Sequence, residues 1–189
     1  MKKNISIAVR LTLVCFVFFC GIYTLSIWGI AQMVPGQGKG LTITENGQKY
    51  YLNVGQSFNS DRYFWPRPSA VDYNAAGSGG SNKGPSNPEY LAQVQARIDT
   101  FLLHHPGVDN KELPSDIVTA SASGIDPHIS VQAARVQVKR IAQYRNMSTI
   151  EINALIENNT EDPLFGLFGP KRINVLKLNI ELDRLQNKI

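Results

Sequence analysis

One short segment gathers the residue types that hydrolytic enzymes use. Ser121, Ser123, Asp126 and His128 lie within eight residues and supply hydroxyls, a carboxylate and an imidazole. Members of a catalytic triad usually converge from separate loops, and neighbours within one turn rarely reach that geometry. The nucleophile elbow Gly-x-Ser-x-Gly is absent, since the chain reads Ala-Ser-Ala-Ser-Gly here. We therefore expect a strand-to-helix turn in which Asp126 and Ser130 cap backbone donors, and we predict no catalytic residue.

The glycine-rich segment Gly77–Gly84 has the composition of a phosphate-binding loop without its spacing. A P-loop requires Gly-x-x-x-x-Gly-Lys-Ser/Thr before a helix, whereas here Lys83 precedes Gly84 and a proline follows. The dinucleotide-binding fingerprint is absent too. We expect backbone that passes close to another surface, where only small residues fit.

The histidines and cysteines do not predict a metal site. His104 and His105 are adjacent, and neighbouring helical residues do not face one another. His128 is distant, and no carboxylate pair completes a ligand set. We expect the adjacent pair to form a solvated helix end that interacts with the helix dipole. Cys15 and Cys20 both lie in an apolar stretch, which leaves the rest of the chain without thiolates. The sequence predicts no metal and no cofactor of its own.

The N-terminal segment predicts a membrane anchor. Residues 11–34 carry no charge, and a helix of that length spans about 36 Å, enough for a hydrocarbon core of about 30 Å. Three basic residues precede this stretch, so the positive-inside rule places residues 1–10 in the cytoplasm and residues 35–189 outside the cell membrane. A cleaved signal peptide is the alternative, but its apolar region is usually about 7–15 residues.

The charge balance excludes one class of partner. The chain has 19 Lys and Arg against 15 Asp and Glu, and every acidic residue follows the apolar stretch. The part beyond Met33 therefore has a net charge of only +1. This part lacks the basic surface of a nucleic-acid-binding domain, so we expect no nucleic-acid partner.

Beyond the anchor, the patterns predict one mixed α+β domain with a small sheet and about four helices. Asn46-Gly47 predicts a hairpin turn, and Ile117–Ala120 predicts a short buried strand. Caps and apolar spacing predict helices after Asn87, Ser130, Ser148 and Asn174. The turn-rich segment from Phe58 to Pro88 contains aromatic residues, which indicates an ordered loop that packs on something.

Four segments together resemble one family, the C subunits (KdpC) of bacterial Kdp potassium-transporting ATPases. The segments are Tyr63–Ala70 (YFWPRPSA); Tyr73-Asn74 with Gly79–Asn82 (GGSN) and Gly84–Pro88 (GPSNP); Asp116–Ser130 (DIVTASASGIDPHIS); and Asn174–Asp183 (NVLKLNIELD). With the single N-terminal apolar helix, the resemblance covers nearly the whole chain.

The resemblance implies an accessory role without catalysis. Family members join a channel-like potassium-binding subunit and a P-type ATPase subunit in a complex that imports potassium with high affinity, driven by ATP hydrolysis. The C subunit is expected to stabilise assembly and to raise the ATP affinity of the catalytic subunit, as a catalytic chaperone, without hydrolysing ATP itself. The helix matching Ala134–Arg145 is linked to nucleotide in the family, which makes Gln137 the candidate nucleotide contact. ATP would otherwise act through the complex.

The expected partners are these two subunits and the lipid bilayer. Because the predicted topology places the domain away from cytoplasmic ATP, we expect its effect on nucleotide affinity to be indirect, by linkage through partner conformations. The loop Tyr63–Pro88 is the predicted docking surface, since aromatic and Arg side chains on a proline-rich loop make good interface anchors. The candidate contacts are Tyr63, Phe64, Trp65, Arg67, Ser69, Ser81, Asn82, Pro85, Asn87 and Arg140.

Two other functions stay open at this point. One is a membrane-anchored hydrolase that uses Ser123 and His128, and the other is an anchored solute-binding module whose glycine-rich loop holds an anion. Labelling by a serine-directed probe would favour the first, and ligand binding by the isolated domain would favour the second.

Overall fold

The computed structural model describes residues 2–187 of the 189-residue chain. Its contacts divide into two compact units, Met1–Tyr51 and Leu52–Ile189. The predicted α+β composition is confirmed: one long apolar N-terminal helix is followed by small sheets and several helices.

The first unit begins with a continuous helical rod. Helix α1 (Lys2–Phe16) passes into a π-helical stretch, Val17–Tyr23, and then into α2 (Thr24–Met33). The helix Lys3–Met33 has 31 residues and contains an 18-residue window with a mean hydropathy of 2.4, which makes it long and apolar enough to cross a membrane. Within it, the hydroxyl groups of Thr24 and Ser26 donate to the backbone carbonyls of Phe19 and Ile22, so these two donors are satisfied inside the helix.

A two-stranded hairpin completes the first unit. Strands β1 (Thr42–Glu45) and β2 (Gln48–Tyr51) pair antiparallel in a register that places Glu45 opposite Gln48. Asn46 and Gly47 both have positive φ, 51° and 78°, as a tight two-residue hairpin turn requires. The predicted hairpin turn is confirmed.

The second unit packs five helices around a short three-stranded sheet. The helices are α3 (Pro88–His104), α4 (Val131–Arg135), α5 (Val138–Arg145), α6 (Thr149–Asn158) and α7 (Val175–Gln186). The strands are β3 (His128–Ser130), β4 (Thr160–Glu161) and β5 (Arg172–Asn174), with β5 in the centre and antiparallel to both neighbours. The core contains residues of the helices and sheet, including Phe101, Ile129, Ile141, Ile156, Ile173, Leu178 and Leu182.

All four predicted helix starts are confirmed by side-chain caps. Asn87, Ser130 and Asn174 each accept a hydrogen bond from the backbone N–H three residues later, and Ser148 forms a capping box with Glu151. Each cap satisfies a donor that the first helical turn leaves free. The apolar periodicity and the caps together were enough to locate these helices.

The helix that Ser130 caps is split in two, for a reason that lies in Gln137. The Gln137 backbone N–H donates to the carbonyl of Ala134, three residues back. The carbonyl of Ala133, four residues back, instead accepts from the Gln137 side-chain amide at 3.0 Å. This local tightening separates α4 from α5, so the unit has one helix more than predicted.

The strand predicted at Ile117–Ala120 was wrong. Ser115–Ile117 forms a turn of 3₁₀-helix, and the N–H groups of Val118 and Thr119 donate to the carbonyl of Ser115. Ile117 and Val118 are buried, as the apolar pattern indicated, but local bonds rather than a strand partner satisfy their backbone. The apolar pattern therefore predicted the burial of these residues correctly but not their backbone conformation.

Candidate functional site

Two side-chain amides hold the start of the Tyr63–Pro88 loop. On α7, Asn179 Oδ1 accepts from the Phe64 N–H at 2.8 Å while its Nδ2 donates to the Phe64 carbonyl at 3.0 Å. On α5, Gln137 Oε1 accepts from the Trp65 N–H at 2.8 Å while its Nε2 donates to the Trp65 carbonyl at 3.2 Å. Each amide thus pairs with the loop backbone as a neighbouring strand would.

A buried guanidinium lies beneath this part of the loop. Arg140 Nε donates to His105 Nε2 at 2.8 Å, and Nη2 donates to the Tyr63 carbonyl at 2.9 Å and to Gln137 Oε1 at 2.7 Å. Nη1 donates to the Asp61 carbonyl, and the Asp61 carboxylate lies 3.7 Å away. Burial lowers the pKa of Arg140 to about 10, which still leaves it charged at neutral pH. Its donors are therefore used inside the domain.

Aromatic rings surround this guanidinium. The Arg140 guanidinium lies 4.7 Å from the centre of the Trp65 ring, a cation–π distance. His105 stacks on Phe101 with ring centres 3.7 Å apart, and its Nδ1 lies 2.7 Å from the Phe101 carbonyl. Since Nε2 accepts from Arg140, this geometry fits a neutral imidazole with its proton on Nδ1. We call Trp65, Phe101, His105, Gln137 and Arg140 the arginine cluster.

The neutral state of His105 predicts acid sensitivity. Burial lowers the pKa of His105 to about 4, and the charge of Arg140 acts in the same direction, whereas the Phe101 carbonyl and Asp61 raise the pKa and His104 lowers it slightly further. Unfolded chains take up this proton near pH 6.5. The contribution of neutral His105 to the free energy of unfolding is therefore fully present above about pH 6.5 and is lost as the pH falls toward 4.

We expect the free energy of unfolding, measured by urea titration, to fall between pH 7 and pH 5 more steeply in the native chain than in His105→Gln. Glutamine offers an acceptor to Arg140 and does not titrate, so the variant removes this one proton uptake while the carboxylates stay unchanged. Equal slopes for the two chains would contradict the assignment of a neutral, buried His105.

A second group of contacts, which we call the second seam, joins the loop residues from Arg67 onward to residues 119–126. The Ala70 N–H donates to the Ser121 carbonyl at 2.8 Å, and the Ser121 N–H donates to the Pro68 carbonyl at 2.7 Å. Arg67 Nη1 lies 2.9 Å from Asp126 Oδ2, and both side chains are about a quarter exposed. Hydrogen bonds and an ion pair therefore tie this part of the loop to the domain.

The glycine-rich part of the loop follows the same seam. The Gly79 N–H donates to the Ala122 carbonyl at 2.9 Å, and Ser78 forms an isolated bridge with Ser123. The tightest approach is at Gly124, where a Cβ would lie 2.2 Å from the Asn74 carbonyl oxygen. The segment Gly77–Gly84 does run along residues 119–126, but the expectation that only small residues fit there was wrong, because a Cβ at Gly77, Gly79, Gly80 or Gly84 would approach no other group closer than 3.6 Å. The residue without space for a Cβ is Gly124, outside the predicted segment.

Three predicted site residues need correction because their side chains lie inside the domain. Phe64 and Gln137 are 0% exposed and Arg140 is 2% exposed, so none of them presents a side chain to a partner on the folded surface. The Gln137 amide makes two donor and two acceptor contacts, which leaves it no free group for a nucleotide. The sequence pattern placed Arg135, Lys139 and Arg140 together on an exposed basic face. Arg135 and Lys139 are exposed, but Arg140 is buried.

The other partner candidates lie at or near the surface. Ser81, Asn82 and Pro85 are exposed. Five more are partly buried and make contacts within the domain: Tyr63, Trp65, Arg67, Ser69 and Asn87. Their roles toward a partner stay predictions.

The histidine pair does not form a solvated helix end. His105 is 2% exposed, and only His104 reaches solvent, where its Nδ1 lies 2.9 Å from Asp61 Oδ1. The expectation failed because adjacent helical residues point in different directions, and one of the two directions here leads into the core. Among residues 2–187, no group of three or more His, Cys, Asp or Glu side chains could hold a metal ion.

The residues of the hydrolase alternative are engaged elsewhere. Ser123 Oγ accepts from the Ile125 N–H at 3.1 Å, and His128 Nε2 lies 3.6 Å from Glu161 Oε2. Burial, with a smaller effect of the Arg172 charge, lowers the pKa of His128. Asp126 accepts from the His128 N–H and Ser130 caps α4, as expected for a strand-to-helix turn. The contacts of Ser123 and His128 do not form a nucleophile–base pair.

A cleft of about 320 Å³ opens beside the loop. Its walls include Phe58, Trp65, Tyr73, Arg97 and Phe101, and Arg97 donates to the Val118 carbonyl at 3.3 Å. Such an aromatic wall can receive an apolar group.

Sequence reasoning missed Asn179, Asp61 and Arg145. Arg145 Nε donates to the Arg62 carbonyl at 2.6 Å, and its Nη1 lies 2.7 Å from Asp183 Oδ1. A signal was present for Asn179, because it lies between the apolar residues Leu178 and Ile180 on a helix that packs against the core. A polar residue on a buried helical face needs a hydrogen-bond partner. Nothing in the sequence indicated which backbone group that partner would be.

Comparison with known proteins gives one consistent result. The family model described as "KdpC: K+-transporting ATPase, c chain" matches residues 5–184. A protein named "Potassium-transporting ATPase KdpC subunit" from Flavobacterium psychrophilum is 53% identical over 185 residues, which cover 97% of this chain and 100% of the relative. Its namesake in Bacteroides fragilis is 50% identical, covering 98% and 100%, and that in Geobacter sulfurreducens is 49% identical, covering 93% and 95%.

Proposed function

The chain belongs to the KdpC family of potassium-transporting ATPase subunits, and from this membership we propose that it is an accessory subunit that does not catalyse ATP hydrolysis. Membership makes it part of a potassium uptake complex, with other subunits of that complex as partners. We assign these partners as a channel-like potassium-binding subunit and a P-type catalytic subunit. The observation that carries the proposal is the family match over residues 5–184.

The internal contacts support a role without chemistry on this chain. Ser123 and His128 are bound to other groups, and Gln137 has no free donor or acceptor. With the nucleotide candidate Gln137 engaged, protein contacts are the route that we propose for any effect on ATP at the catalytic subunit. We propose that the chain stabilises the assembled complex and raises the ATP affinity of the catalytic subunit by linkage, because it binds one conformation of the partners more tightly.

The candidate span and the transporter family together indicate a membrane protein. We propose that the span stays attached in the mature chain, with the residues before it in the cytoplasm and the domain after it on the outer side. The three basic residues before the apolar stretch support this orientation. The domain would then lie where potassium enters the complex, and it would never meet cytoplasmic ATP.

The function is tested by expressing the other subunits with and without this chain. We expect the chain to copurify from detergent-solubilised membranes with a tagged catalytic subunit, and its omission to raise the KM for ATP at least several-fold. In the same cells, an impermeant maleimide should label Ser81→Cys from outside but Asn4→Cys only after lysis, since both native cysteines lie in the apolar span. An unchanged KM, or a wild-type chain that does not copurify, would contradict the proposal.

A further inference from the structure

The loop between β4 and β5 carries the largest cluster of exposed apolar side chains in the described part of the second unit. Leu164, Phe165, Leu167 and Phe168 are 64%, 84%, 80% and 65% exposed, and only Gly166 lies between them. We call Leu164–Phe168 the apolar tip. Other strongly exposed apolar residues of this unit, such as Leu103 and Ile150, occur singly along the chain. Soluble surfaces seldom leave such a cluster uncovered unless it binds something.

The tip is a closed and preformed turn. Leu164 and Phe168 exchange two backbone hydrogen bonds of 3.0 Å, and the Gly166 N–H donates to the Pro163 carbonyl at 2.8 Å. Little conformational freedom therefore remains to be lost when a partner binds. The geometry also carries strain: Phe165 has φ of +54°, a region that bulky side chains avoid. The turn holds its most exposed ring outward at that cost, which points to a contact outside this chain.

The base of the loop is electrically neutral by internal pairing. Lys171 Nζ lies 3.0 Å from Asp162 Oδ1, and Arg172 Nε lies 3.0 Å from Glu161 Oε2. Two cations and two carboxylates thus surround the apolar tip as a polar rim with no net charge. An apolar centre inside a paired polar rim is the usual anatomy of a protein–protein interface. It gives no attraction to an anionic lipid surface, which would require unpaired basic residues.

We propose that the apolar tip docks into an apolar pocket on another subunit of the same ATPase. This inference rests on the proposed function, which supplies the partner. The four side chains expose on the order of 500 Å², since large apolar side chains offer roughly 150–250 Å² each. A stable interface buries about 800 Å² per partner. The tip therefore supplies more than half of one side of such an interface, with Phe165 and Phe168 as its anchors.

The tip takes over the role that the sequence assigned to the Tyr63–Pro88 loop. The aromatic and arginine side chains that made that loop a candidate lie partly or wholly inside the domain. Asn179 and Gln137 hold the backbone of Phe64 and Trp65, and the Arg67 side chain pairs with Asp126. The aromatic rings of the tip make no such contact and are held outward. Docking through the tip leaves the arginine cluster undisturbed, so binding does not require the core to open.

The test uses the assembled complex. Phe165→Ser with Phe168→Ser should reduce copurification with a tagged partner subunit at least tenfold, whereas Ile150→Ser, equally exposed but isolated, should leave it unchanged. Both variants should unfold at the wild-type temperature, because the replaced side chains contact little of the core. A benzophenone amino acid at Leu167 should crosslink to another ATPase subunit upon irradiation, and one at Ile150 should not.

Three results would overturn the proposal: wild-type copurification of the tip variant, a crosslink from Leu167 to lipid, or a crosslink to a second copy of this chain. Each of these leaves the accessory function intact as long as the wild-type chain copurifies with the other subunits. If the wild-type chain itself fails to copurify, the proposed function fails and this inference fails with it.

Discussion

Replacing Gly124 by alanine should lower the free energy of unfolding by at least about 3 kcal/mol, near the upper end of what overpacking costs. A Cβ at this position would lie 2.2 Å from the Asn74 oxygen, 2.3 Å from the Asn74 carbonyl carbon and 2.6 Å from the Ala75 nitrogen. All three atoms are backbone, so no side-chain rotation relieves the overlap. The loop must move away from residues 119–126, which breaks the hydrogen bonds of the second seam.

Gly84→Ala is the matched control, because a Cβ added at Gly84 would have no heavy atom of a non-adjacent residue within 4 Å. We expect its effect to stay within about 0.5 kcal/mol. Urea unfolding of the full chain in detergent, followed by tryptophan fluorescence, measures both, since Trp65 lies in this loop and the other tryptophan, Trp28, lies in the apolar helix. Equal midpoints for the two variants would show that the loop does not approach Gly124 as described.

Replacing Arg140 by methionine should destabilise the domain by about 3–5 kcal/mol, the usual effect of removing one partner from a buried charged network. Methionine keeps part of the apolar stem but removes a donor from four acceptors, of which, among the described residues, only Gln137 Oε1 keeps another donor, the Trp65 N–H. These acceptors are His105 Nε2, Gln137 Oε1 and the carbonyl oxygens of Asp61 and Tyr63. The cation–π contact with Trp65 is lost as well.

Lys139→Met, one residue away and exposed, is the control and should change the free energy of unfolding by less than about 0.5 kcal/mol. The same pair separates two roles for Arg140. If Arg140 contacts a partner subunit, as the sequence suggested, Arg140→Met folds with wild-type stability and loses only the complex. If it holds the core together, as its burial indicates, chemical unfolding of the chain alone reveals the loss.

Local signals predicted much of the fold. The apolar N-terminal helix, the Asn46-Gly47 turn and the helix caps depend on residues within a few positions of one another, and each was found where the pattern placed it. Ile117–Ala120 shows the limit of such signals. An apolar β-branched run indicates burial, but whether a strand partner is within reach depends on the tertiary arrangement.

The candidate site was less predictable because its interactions join distant residues. Arg140 and Lys139 are adjacent and chemically similar, yet one is buried and the other exposed, and the difference arises from Asp61, Tyr63 and His105 on other elements. When Arg is counted as a polar residue, the helical pattern places both Lys139 and Arg140 on the outer face of the helix. The family resemblance identified the family but did not distinguish residues that hold the loop, such as Arg140, from residues that lie on the surface.

The pairing of Phe64 with Asn179 imposes an order of events during biosynthesis. The two residues are 115 positions apart, so the ribosome adds Asn179 roughly 6–23 s after Phe64 at about 5–20 residues per second. Throughout that interval the nascent chain lacks α7, so the backbone of Phe64 has no Asn179 to pair with. Folding of this domain is therefore completed only after nearly the last codon is translated. A product of premature termination before residue 179 keeps Gln137 but lacks Asn179 and α7, so the Phe64 backbone loses its partner and the loop is more open to chaperones and proteases.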